Sequence, residues 1–135
     1  MFVKYMLADE WHDRVDYGNA VSNPTWEQVR EAISTMDGER TTVVSISDKD
    51  GSDHYMMIAG HLDGRCLVNA TNDNFEFFSL VDHARSDNKV IVFVGGQNGE
   101  FEDRKFVPFA WAIEAAAYFY ETGNLSPKLN WVSDY

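Results

Sequence analysis

Cys66 is the residue with most chemical potential in this chain, because Arg65 precedes it and His54 and His61 lie shortly before it. A nucleophilic cysteine needs a lowered pKa and an imidazole within reach. Arg65 supplies the cation, and a hairpin could bring His54 or His61 across to the thiol. A His/Asp site is the related enzymatic reading. The alternative is a half-buried cysteine that packs as a small hydrophobe. Cys66 is the single cysteine, so no intrachain disulfide forms, which fits a reducing compartment. The other histidines, His12 and His83, fall in loop-like stretches. No pair has the helical spacing of metal ligands and no cysteine pair exists, so no metal set is expected.

Asp48-Lys49-Asp50-Gly51-Ser52-Asp53 is rich in oxygen ligands. A calcium loop of the EF-hand type places glycine sixth and glutamate twelfth. Here glycine is fourth and both flanks read as strands, so a solvated hairpin turn is the better account. Gly95-Gly96-Gln97-Asn98-Gly99 lacks the spacing of a phosphate loop, and no Lys-Ser/Thr follows it. It reads as a glycine turn. Glu100, Glu102 and Asp103 form the densest acidic run, yet neighbouring residues of a strand face opposite ways. They cannot all serve one general acid–base site, and their functional version is an acidic patch that meets a basic partner. No catalytic or cofactor-binding constellation emerges. The candidate partner contacts are Asp48, Asp50, Asp53, Glu100, Glu102 and Asp103.

Composition points the same way. The chain carries 22 acidic and 11 basic residues, a formal charge of −11, which repels nucleic acid and anionic membrane. An apolar content of 44% argues for a packed core, and 135 residues suit one domain over 1–135. Aromatic residues make up 14%, some serving the core and others suited to an interface, where Trp and Tyr are favoured. The start is too short in apolar residues for a signal peptide, and no window is long enough to span a membrane. A cytoplasmic protein is expected.

The elements that must position these residues follow from periodicity. Phe2 to Leu7 reads as a first strand and Asp9 to Asn23 as loop, with Trp11 and Tyr17 anchoring it. Asn23-Pro24 opens a helix as N-cap and first residue, with Trp26, Val29, Ile33 and Met36 as its apolar stripe. Thr41–Ser47, His54–Gly60 and Arg65–Ala70 read as hairpin-linked strands, and Phe75–Phe77 as a short edge strand. Val90–Val94 has no alternation, which places it centrally in the sheet, with Phe101–Val107 as its partner. Pro108 opens a nearly all-apolar helix that Gly123 closes. The fold class expected is α+β: a mainly antiparallel sheet of about five to seven strands packed by two helices.

Several pieces in this order resemble immunity protein family one of bacterial polymorphic toxin systems. They are Asn23-Pro24-Thr25-Trp26-Glu27-Gln28-Val29, Asp37-Gly38-Glu39-Arg40-Thr41, Met57-Ile58-Ala59-Gly60 and Gly64-Arg65-Cys66-Leu67-Val68. Val94-Gly95-Gly96-Gln97, Phe119-Tyr120-Glu121-Thr122-Gly123-Asn124-Leu125 and Trp131 complete the set. The resemblance covers nearly all the chain after residue 20. His61 stands where the family often has a second glycine. The resemblance implies a non-enzymatic α+β protein that neutralises a cognate toxin domain, often a predicted nucleic-acid deaminase. Such a toxin presents a basic surface, which the chain's own charge complements. A homodimeric interaction scaffold is a further reading, since strands apolar on both faces permit self-association.

Overall fold

Period-two alternation builds most of this molecule. Val44 and Ile46, Met56 and Ile58, and Cys66, Val68 and Ala70 are all buried, while residues between them are less so. The computed structural model describes residues 1–134. In chain order its elements are β1 (Tyr5–Ala8), β2 (Trp11–His12), β3 (Val15–Asp16), β4 (Asn19–Ser22), α1 (Trp26–Ser34), β5 (Val43–Ser47), β6 (Tyr55–Leu62) and β7 (Arg65–Thr71). Then come β8 (Phe77–Leu80), β9 (Lys89–Val94), β10 (Gln97–Glu102), β11 (Phe106–Pro108), α2 (Phe109–Thr122) and β12 (Trp131–Ser133), with one 3-10 turn at Asp103–Lys105.

Among the described residues one antiparallel sheet runs in the order β12-β8-β7-β6-β5-β1-β4. β11 adds to it along Arg65–Leu67, on the half of β7 that β8 leaves free. The fold is α+β and mostly sheet, as the strand and helix patterns imply. Asp63 and Gly64 close the β6–β7 hairpin with φ of 50° and 74°. Two consecutive positive φ values match the twist of paired strands.

Both helices cover one face of the sheet. Val29 and Ile33 of α1 and Ala112, Ala115, Ala116 and Phe119 of α2 join the strand residues above in one buried cluster. The alanines let α2 lie close to the strands. Gly123 ends α2 at φ 73°, and its N–H donates to the Phe119 carbonyl at 2.8 Å. The Tyr120 hydroxyl donates to the Pro24 carbonyl at 2.7 Å and so ties α2 to the approach of α1.

Several boundaries differ from those expected. Thr25, not Asn23, caps α1: its hydroxyl accepts from the Gln28 N–H at 3.2 Å, and the Gln28 side chain accepts from the Thr25 N–H at 2.9 Å. The Thr-x-x-Gln capping box was present in the sequence and outweighs Asn-Pro. Asn23 instead takes φ 52°. The stretch 9–23 is not loop throughout, because β4 pairs with β1, and β2 pairs with β3. The strand expected at 75–77 starts at Phe77, and it is not an edge, because β12 lies outside it.

The largest correction concerns 90–94. This run is not central: β9 pairs with β10 in a separate two-stranded sheet, and Ile91 is 70% exposed. A short apolar run looks alike whether it is buried in a sheet or lies over one. The expected strand 101–107 is likewise broken, because the 3-10 turn divides β10 from β11. The β9–β10 hairpin covers part of the face that the helices leave open. There Phe101 packs edge-on against the buried Phe106, ring centroids 6.2 Å apart. No helix among the described residues is long and apolar enough to cross a membrane.

Candidate functional site

Cys66 has the properties of a core side chain. It is fully buried, and burial pushes its thiol up to about 12. Arg65 does not serve it: its Nη1 donates to Asp82 Oδ2 and to the Phe106 carbonyl, each at 3.0 Å. His54 Nε2 lies 2.6 Å from the Gly123 carbonyl and its ring packs on Phe2. His61 packs against Phe109. Each imidazole thus has its own partner, and a nucleophile of this pKa is protonated at neutral pH. Among the described residues no group of three or more His, Cys, Asp or Glu side chains could hold a metal ion.

The six acids separate into two kinds. Asp50, Asp53 and Glu100 are exposed and form no ion pair among the described residues. Asp48 is half-buried, and a hydrogen bond with the Ser52 side chain holds its carboxyl below the usual range. Asp103 accepts from Arg85 Nη2 at 2.6 Å. Glu102 faces Arg104 Nε at 3.1 Å and Lys105 Nζ at 3.6 Å. Burial would raise the Glu102 carboxyl, but Arg104 and Lys105 overcome it and lower it. Glu102 and Asp103 are therefore spent on holding the base of the β9–β10 hairpin.

The sheet's other face carries a feature that periodicity alone could not reveal. Cross-strand register aligns Leu7, Ser45, Met57 and Asn69 in one row, and Tyr5, Ser47 and Tyr55 in the next. These rows point away from the helices. The β9–β10 hairpin covers Ala59 and Leu67, and leaves the β1–β5–β6 part of the face open as a groove of about 410 Å³. Tyr5, Leu7, Tyr55 and Met57 give it an apolar and aromatic floor. Asp50 and Ser52 of the β5–β6 turn form one wall, Asp16 and Trp11 another, and Gly95 of the β9–β10 turn a third.

Asp9 fastens these walls together. Its Oδ1 accepts from the Thr42 N–H at 2.6 Å and the Val43 N–H at 2.9 Å. Its Oδ2 accepts from Trp11 Nε1 at 2.7 Å and from the Thr42 hydroxyl. The Thr42 hydroxyl in turn accepts from the Gly95 N–H at 2.9 Å. Trp11 lies close enough to the β9–β10 turn that a Cβ on Gly96 would fall 2.5 Å from its Cη2. Trp11 is the anchor its type suggested, whereas Tyr17 is 67% exposed and is not. Asp9 and Thr42 were not singled out by pattern. The only signal was a tryptophan in an otherwise polar stretch.

The model of the family immunity protein Imm1 matches residues 18–133. No curated protein and no solved structure matches the chain.

Proposed function

The chain belongs to the Imm1 family of immunity proteins, and we propose that it binds and neutralises a cognate toxin domain in the cytoplasm of the cell that makes the toxin. The observation that carries this reading is the family match, which spans both helices and the strands from β4 to β12. The formal charge of −11 supports a toxin with a basic surface, such as a nucleic-acid deaminase, whose substrate groove must attract phosphates. Asp50, Asp53 and Glu100 meet that surface first, because they are exposed and have no ion-pair partner among the described residues. Asp48, Glu102 and Asp103 shape the turn and hairpin that present them. Inhibition then follows from covering the toxin's substrate groove.

Co-expression with the toxin domain encoded beside this chain tests the proposal. Cells survive with the pair and die with the toxin alone, and the two proteins elute as one complex. Absence of both rescue and complex overturns it. Triple charge reversal at Asp50, Asp53 and Glu100 slows association by about tenfold at low salt, and by less as salt rises. An unchanged association rate removes these acids from the account.

A further inference from the structure

The groove on the helix-free face has a composition that selects its occupant. Asp9, Asp16 and Asp50 line it and no lysine, arginine or histidine does, so the charged groups of its lining are all acidic. Asp9 is committed to four internal hydrogen bonds, and Asp16 Oδ1 accepts from the Glu10 and Gly18 N–H groups. Asp50 is exposed, with no ion-pair partner among the described residues. Between these carboxylates the floor is apolar and aromatic, with Leu7 44% exposed and Met57 and Tyr55 half-buried. A carboxylate ligand would be repelled here. A lysine ammonium is strongly hydrated and gains little from such a floor. A guanidinium is weakly hydrated, stacks on tyrosine, and forks to a carboxylate.

We infer that this groove seats an arginine-bearing loop of the toxin domain, with the arginine stem on Leu7 and Met57, its guanidinium between Tyr5 and Tyr55, and Asp50 as its ionic partner. The inference rests on the immunity reading and adds the face and the chemistry of contact. The face is also prebuilt: Asp9 and Thr42 lock the strand positions beneath it, and Gly95 and Trp11 lock the wall beside it. A prebuilt groove of this kind, desolvated once a partner fills it, is where interfaces concentrate their binding energy.

The test is the affinity of the full chain for the toxin domain encoded beside it, measured by calorimetry. Leu7→Lys places a cation on the groove floor at an already exposed position. Asp50→Lys reverses the proposed partner. Glu114→Lys makes the same charge change on the exposed stripe of α2, away from the groove. The expected result is binding at least about tenfold weaker for Leu7→Lys and Asp50→Lys, and within about twofold of the parent for Glu114→Lys. Thermal melts confirm that each variant is folded, and Leu7→Ala, which adds no charge, replaces Leu7→Lys should that variant not fold. Complex formation and rescue with unchanged affinity in the groove variants overturns the groove and leaves the immunity function standing. No complex and no rescue with the parent chain overturns both.

Discussion

Asp9 does at one position what several loops would otherwise have to do. Its carboxylate satisfies two backbone N–H groups of the β5 entry and the indole of Trp11. Removing it leaves those donors without partners in a half-buried place, so Asp9→Ala costs about 3 kcal/mol by urea denaturation. Asp82 acts through charge. Burial would raise its carboxyl, but the Ala84 N–H and the Arg65 guanidinium overcome burial and hold it below the ordinary aspartate range. A depressed folded-state pKa contributes stability above the unfolded value of about 4, and that stability is lost as pH falls through the folded value. Asp37, where burial is outweighed by the Glu39, Thr41 and Arg40 N–H groups, adds to the same acid window. Denaturation midpoints therefore fall steeply below about pH 4, and Asp82→Asn flattens that fall while lowering stability at pH 7. Cys66, buried with a raised pKa, reacts with a thiol reagent only at the rate of unfolding. Rapid labelling of the folded chain would contradict its place in the core.

At the scale of elements, the β9–β10 hairpin is what turns a two-layer α+β domain into one with a groove. It is held against the sheet by Phe101 on Phe106 and by Val92 against Gly60, and its turn is held by Trp11. Gly96 takes φ 90°, and a Cβ there would clash with the Trp11 ring. Gly96→Ala therefore strains the backbone and displaces Trp11, at about 2 kcal/mol in stability. Because the turn also walls the groove, the same variant weakens toxin binding beyond its effect on the melt. Thr25→Ala removes the α1 capping box for about 1 kcal/mol and leaves binding alone, since α1 lies on the opposite face. Circular dichroism melts and calorimetry on the two variants separate these outcomes.

Over the whole molecule the two faces of the sheet divide the labour. One face is filled by α1 and α2 and supplies most of the buried cluster. The other is only part-covered and keeps tyrosine, methionine and carboxylates at the surface. On the proposed reading, the net charge adds a long-range term that steers a basic toxin towards any face, while the groove adds the short-range term that chooses one. Raising the salt from about 50 to 500 mM slows association several-fold, because the Debye length shrinks well below the protein's size. Dissociation changes less, because the contacts at the groove are desolvated.

The residues alone determined the α+β class, the hairpin-linked strands near 41–47, 54–60 and 65–70, the apolar α2 with its Gly123 cap, and the acidic character of the chain. These are local or summed properties: a period of two, a glycine at a helix end, a count of charges. Tertiary structure decided where Val90–Val94 lies, because an apolar run satisfies a central strand and a covering hairpin equally well until long-range pairing chooses. It decided that Glu102 and Asp103 are spent on Arg85, Arg104 and Lys105 while Asp50 has no ion-pair partner among the described residues. It also assembled the groove, whose floor and walls come from residues between Tyr5 and Gly95. No short window holds that information, because cross-strand register and the docking of one hairpin bring those side chains together.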